Sequence, residues 1–362
     1  MIGKTLARYF AGQFILTALA VFGGIFVLVI LVDYIELMRR TANVPDASAL
    51  FVAQTSLYRV PLVIERLMPF CVLIGAMSSF LTLSRKMELV IARAAGISAW
   101  QFIAPALIAA LIGGILATAL YNPISATMQE KSKEMEAKLF GKTSGNVQAA
   151  QGFWVKQNAA DGQAIINASG SQNQGQLLTG LTIFRFSPSG EFVDRIEAKE
   201  ASLRPGYWNL KGARLYGNGA PLNEHESYQL KTNLSADQVR ESFATPETVS
   251  FWQLPNYISE NKRAGLAFAG YRLQFHKLIA QPFMLCAMVL LAAAVSLRFF
   301  RFGGVQKMVL SGIGAGFLLY VLSKVTEDLS KAELLNPVAA AWLPVCVGGL
   351  AGFVALLYQE DG

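Results

Sequence analysis

The chain has 362 residues, 53% of them hydrophobic and 15% charged, with a mean hydropathy of +0.40. That balance excludes an ordinary soluble protein. The formal net charge of +7 does not make a nucleic-acid-binding domain either, because most of the excess flanks apolar runs, where basic residues meet lipid phosphates.

Six charge-free runs carry the hydrophobicity: Tyr9–Val32, Leu67–Ser84, Ala94–Gln129, Leu278–Leu297, Met308–Ser323 and Leu334–Gln359. A helix needs roughly 20 apolar residues to cross a bilayer. Five runs qualify by length, and Met308–Ser323 is short but flanked by Lys307 and Lys324, which can snorkel to the two surfaces. Six transmembrane helices are expected. The first shows no small-residue cleavage pattern and reads as a retained span.

After the first span a polar connection carries Arg39, Arg40 and the breaker Pro45. Pro61 and Pro69 predict a kinked start to the second span. Between spans two and three lies "SRKMELVIARAAGIS", residues 84–98, in which Met87, Val90, Ile91 and Ala94 form one apolar stripe at helical spacing. Ser84 is expected to cap this short helix, Gly96 to stop it, and Ser98 to cap the third span. Glu88 sits near the positive end of the helix dipole, with Arg85 three residues earlier as its local ion-pair partner. Such a segment is either an interfacial helix or a docking helix that receives force from a soluble partner.

The segment Glu130–Arg272 is polar and nearly balanced, with 16 Lys/Arg against 14 Asp/Glu. "GFWVKQ", "GQAIINAS" and the stretch from "GLTIFRF" to "GARLYG" are rich in β-branched and aromatic residues, punctuated by turn signals. They predict an antiparallel sandwich or barrel, in which Ile183, Phe184, Phe186, Phe192 and Ile196 are core candidates. The flanking stretches read as helices. The resulting division is 1–129 for spans one to three, 130–272 for the insert and 273–362 for spans four to six. Eight basic residues on the side of the termini, against six on the opposite short loops, place the termini in the cytoplasm and the insert outside.

Catalytic chemistry is hard to find. "GKT" at Gly3–Thr5 and Gly141–Thr143 lacks the earlier glycine of a phosphate-binding loop. His225 and His276 have no Cys or His at ligand spacing, so no metal is expected. The three cysteines, Cys71, Cys286 and Cys346, all lie in apolar runs. No cofactor is implied, and the chain does not read as an enzyme.

Four stretches together resemble a known family: "SRKMELVIARAAGIS", "QGFWVK", "LPNYISENKRAGLAFAGYRLQFHKLIAQP", and "GIGAGFLLYVLSK" with "AAWLP". In order and spacing they are similar to the lipopolysaccharide export permeases, the LptF/LptG family, and to its LptG branch more than its LptF branch. The resemblance implies an α+β membrane protein, with six transmembrane helices and a periplasmic β-jellyroll between helices three and four. It implies an inner-membrane permease subunit of an ABC transporter that extracts lipopolysaccharide and passes it to a periplasmic bridge. Implied partners are an LptF-like permease, two copies of an LptB-like ATPase and a single-span LptC-like protein.

The family's coupling helix falls on Ser84–Gly96 and its acidic residue on Glu88, with Arg85, Arg93 and Gly96 around it. Span one (Phe26, Ile30) and span five (Gly312, Gly316) fall on its gate helices, although the glycines also serve close helix packing. Arg39, Arg40, Lys131, Lys133, Arg272 and Lys277 are candidates for the substrate's phosphates, or for snorkelling to ordinary headgroups. Lys324, Glu327 and Asp328 are expected to form an ion-pair network. The chain departs from the family in one respect: some members carry a basic residue in the outer part of span one, where Phe26–Val32 is wholly apolar. A membrane-anchored β-domain scaffold, an ion-coupled transporter and an LptF-type sibling are the rival readings.

Overall fold

The computed structural model describes residues 3–42, 48–140, 153–159, 162–172, 177–187, 191–217, 220–232, 246–263, 268–302 and 304–360. The second "GKT" and the Pro45 breaker lie outside them.

Five of the six apolar runs form helices longer than themselves, and the last, Leu334–Gln359, forms one of 24 residues. They are α1 (Lys4–Thr41), α2 (Ala49–Arg85), α4 (Ala99–Leu116) continuing through a π-turn (Ala117–Tyr121) into α5 (Asn122–Phe140), α7 (Ala269–Phe302), α8 (Val305–Lys331) and α9 (Pro337–Glu360). The described residues also form two short α-helices, α3 (Glu88–Ala94) and α6 (Leu254–Arg263), and a 3-10 turn at Pro246–Thr248. Six helices among the described residues are long and apolar enough to cross a membrane, and the short fifth run becomes a helix of 27 residues. Pro61 and Pro69 lie inside an unbroken α2 rather than at its start.

Two compact units divide the chain: residues 1–135 with 246–258 and 268–362, and residues 136–245 with 259–267. In the first, α2, α4 and α7 share a core through Leu73, Phe80, Phe102, Ile103, Met288 and Val289. Helix contact is closest where side chains are absent. A Cβ on Gly75 would strike the Ala18 backbone at 2.6 Å, and one on Gly114 would strike the Pro282 backbone. These glycines set the α1–α2 and α4–α7 crossings, and Thr17 Oγ1 donates to the Gly75 carbonyl at 3.0 Å beside the first.

The π-turn has a local cause. Pro123 lacks an N–H and its ring crowds the carbonyl four residues earlier, that of Ala119. Widening the helix by one residue relieves the crowding.

The second unit is the expected antiparallel β structure. Its six strands are β1 (Phe153–Ala159), β2 (Gly162–Gln172), β3 (Leu177–Phe186), β4 (Phe192–Arg204), β5 (Tyr207–Gly217) and β6 (Ala220–Lys231). They pair in simple sequence order. Inward positions on β3 run Leu178, Leu181, Ile183, on β4 Ile196, Ala198, Ala201, and on β5 Trp208, Leu210, Ala213. On each strand the period of two slips once. The slips line up through Gly180 (φ +60°) and Gly212 (φ +62°), with the Ser169 and Lys199 side chains against them. Such a row of irregular positions bends a sheet, and the bend encloses its apolar face. Ile166, Leu178, Ile183, Ile196, Trp208 and Leu210 are fully buried as a result. Of the aromatic core candidates, Phe184 and Phe186 are half-buried, and Phe192 is exposed with its ring edge against Phe186.

Candidate functional site

The segment 84–98 folds differently from its expected form at one end. Ser84 is not a cap but part of the last turn of α2, which runs to Arg85. The break comes at Met87, whose φ of +60° is left-handed. A methionine gains nothing there, and such strain is held only by its surroundings. At the other end Gly96 (φ +82°) forms the expected stop. Its N–H donates to Arg93 O at 2.9 Å, and that of Ile97 to Ala92 O at 3.1 Å, the two bonds of a Schellman motif. Ser98 then caps α4 in a reciprocal box with Gln101. α3 is thus a seven-residue helix between two left-handed residues.

Its packing decides what it can do. Leu89 and Ala92 are buried and fix α3 to the bundle, while Met87 and Ile91 are 59% and 66% exposed. Val90 and Ala94 are exposed as well. The stripe read from spacing is therefore the outward face, displayed beside exposed Arg85 and half-buried Arg93. Glu88 is not paired with Arg85 among the described contacts. Its Oε1 accepts from the Tyr9 hydroxyl at 3.1 Å, and its Oε2 is enclosed without a hydrogen-bond partner. An enclosed, unpartnered carboxylate oxygen is a cost that the packing around it must offset. Sequence spacing gave no signal of Tyr9, which lies 79 positions away.

The six basic candidates do not form one cluster. Arg39 and Arg40 both bind Glu36, at 2.9 and 2.8 Å, and stay largely exposed. Lys131 lies over the Tyr58 ring, 5.9 Å from its centre. Lys133 and Arg272 are half-buried, and Lys133 already has an interaction within the protein. Lys277 is bound to Glu327 at 2.8 Å, and Lys331 reaches the same carboxylate at 2.6 Å. Lys324 approaches Glu327 at 3.6 Å and Asp328 at 3.2 Å. The expected network exists and has absorbed Lys277, so this lysine offers less free charge to a phosphate than its sequence position implied.

The gate candidates sit on helices with broad uncovered apolar faces. Leu16, Leu19, Leu28 and Leu31 on α1 are exposed, as are Leu310, Phe317 and Leu318 on α8. Phe26 and Ile30 are half-buried. Gly312 and Gly316 face inward, against Met77 and Leu73 of α2, so both serve helix packing. α1 and α8 hold to the bundle by one side, and lipid or another chain must cover the other.

Comparison with known proteins agrees with this architecture. The family described as "Lipopolysaccharide export system permease LptF/LptG" matches residues 8–358. The lipopolysaccharide export system permease protein LptG of Escherichia coli is 24% identical over 326 residues, covering 87% of each chain. The protein of the same name from Haemophilus influenzae is 24% identical over 297 residues, covering 79% of each. With six membrane-spanning helices, an antiparallel β insert between the third and fourth, and a family match along nearly its whole length, the chain belongs to the LptF/LptG family of lipopolysaccharide export permeases.

Proposed function

We propose that this chain is the LptG-type subunit of a permease that draws lipopolysaccharide out of the inner membrane, using force delivered to α3 by a cytoplasmic ATPase. The observation that carries the reading is the outward apolar face of α3 beside a carboxylate with one unpartnered oxygen. Nothing in the membrane unit gains from exposing Met87 and Ile91 to water, whereas a partner's groove would bury them.

Energetics point the same way. Removing an acyl chain from lipid costs about 0.8 kcal/mol per CH₂, and a glycolipid with several chains costs far more than contacts within one subunit supply. An energy source in a partner is required. The uncovered faces of α1 and α8 suit a second six-span permease, with the glycolipid passing between the two subunits. On this reading the termini and α3 are cytoplasmic, and the β unit is periplasmic, where it hands the acyl chains to a single-span partner and a bridge of β domains. Arg39, Arg40 and Lys131, the most exposed of the basic candidates, meet the phosphates.

The test is to purify the tagged chain gently from its native membrane, as wild type and as Glu88→Arg, and identify its companions by mass spectrometry. An ABC-type ATPase and a second six-span protein should accompany wild type, and the substitution should deplete the ATPase alone. If no ATPase appears with wild type, the export reading is lost and a membrane-anchored β-domain scaffold takes its place.

A further inference from the structure

A second polar node lies inside the membrane unit. Asn122, the first residue of α5, is 1% exposed. Its Nδ2 donates to Glu65 Oε1 of α2 at 2.8 Å, and its Oδ1 accepts from the Phe251 N–H, also at 2.8 Å. One residue on, Trp252 Nε1 donates at 3.1 Å to the Ala119 carbonyl, the acceptor that Pro123 leaves without its helical donor. The Phe251 ring stacks on Phe275 of α7, 5.5 Å between centres and 11° between planes. Beside the node, Tyr121 donates to the Pro61 carbonyl of α2 at 3.0 Å.

The chemistry is that of a clamp. α5 is the helix along which the chain leaves span three for the insert, and Phe251–Gln253 is the segment by which it returns. One buried amide uses its donor side for α2 and its acceptor side for the returning backbone. Glu65 Oε2 is buried without a hydrogen-bond partner, so the bond from Asn122 is the one that satisfies the buried carboxyl, and opening the node would leave that group wholly unpaired. The π-turn beneath it (Ala117–Tyr121) sets the phase of α5: without its extra residue α5 would be turned by about 100°, and Asn122 would face neither partner.

We propose that Asn122 is a positioning residue, which holds the outgoing helix and the returning segment to spans two and three so that both move as one body. The consequence for glycolipid transport rests on the export reading above; the clamp itself does not.

The test uses the full chain with its co-purified companions, reconstituted in vesicles, as wild type, Asn122→Leu, Trp252→Phe and Glu65→Gln. Hydrogen exchange by mass spectrometry reads residues 246–253, with 88–97 as the internal control. Asn122→Leu should speed exchange at 246–253 at least about tenfold and Trp252→Phe about threefold. Glu65→Gln keeps an oxygen for Asn122 and should stay near wild type. Residues 88–97 and the recovery of companions should not change, while glycolipid release slows at least about fivefold in Asn122→Leu. Exchange at 246–253 unchanged in both Asn122→Leu and Trp252→Phe overturns the clamp. Faster exchange with release intact overturns its part in transport. If Asn122→Leu fails to accumulate, Trp252→Phe, which alters an exposed indole, decides the matter alone. A wild type that releases no glycolipid defeats the export reading, yet the exchange measurement still settles the clamp.

Discussion

The Tyr9 hydroxyl, near the start of α1, donates to Glu88 Oε1, at the first residue of α3, at 3.1 Å. This bond ties the least buried span to the helix that displays an apolar face, across 79 positions of sequence. Beside it, Phe10 and Phe14 of α1 share the bundle core with Leu89 of α3.

Tyr9→Phe keeps the ring and removes the tie. Because the bond is exposed, overall stability should change by less than about 1 kcal/mol. Hydrogen exchange in residues 84–97 should rise about threefold to tenfold, and recovery of the ATPase should stay near wild type, since Glu88 itself is retained. Unchanged exchange in that segment would show that Leu89 and Ala92 alone hold α3.

Gly312 and Gly316, singled out by sequence position, pack against side chains, whereas Gly75 and Gly114 pack against backbone. Gly75→Ala and Gly114→Ala push a methyl into backbone, at Ala18 and Pro282, and each should cost about 3 kcal/mol. Gly312→Ala meets only the flexible end of Met77 and should cost less than about 1 kcal/mol. Thermal unfolding in detergent ranks the three; an equal loss for all would mean that the close crossings relax freely.

In the β unit, Gly180→Val and Gly212→Val each place a branched side chain at a left-handed φ, +60° and +62°. Each should destabilise the unit by about 2 kcal/mol or more, and the pair together should prevent the sheet from enclosing Trp208. Protease sensitivity of residues 177–217 and the near-ultraviolet signal of the tryptophans check this. Gly206, in the turn between β4 and β5 with open space around it, serves as a control for φ alone.

Glu327 is the hub of three lysines. Glu327→Gln should therefore lower thermal stability more than Lys277→Gln, because it strands three like charges while the latter leaves two partners in place. If Lys277→Gln instead slows glycolipid release with stability intact, Lys277 belongs among the phosphate contacts after all.

Much of this molecule was legible in its residues. Charge-free runs longer than a bilayer's apolar depth leave a chain few options but helices, because backbone groups in lipid must bond within their own segment. Hence the spans, their division three and three, and the β character of the polar insert followed from composition and periodicity. Gly96 and Ser98 were legible for the same reason: caps are local, and their geometry depends on a few neighbouring residues. Ser84 misled because α2 continued past it, and only packing determines where a long helix yields.

The sequence by itself determined which segments cross the membrane, which segment forms strands, and that a short apolar stripe with one carboxylate lies between spans two and three. Tertiary structure alone decided that the stripe faces outward, that Glu88 turns to Tyr9 and Lys277 to Glu327, that Gly75 and Gly114 rather than their neighbours sit at helix crossings, and that Asn122 joins α2 to the returning chain. The physical reason is range. Hydropathy and capping act over a few residues along the chain, whereas hydrogen bonds and close packing act over a few ångströms in space, between residues whose separation in sequence carries no signal of their meeting.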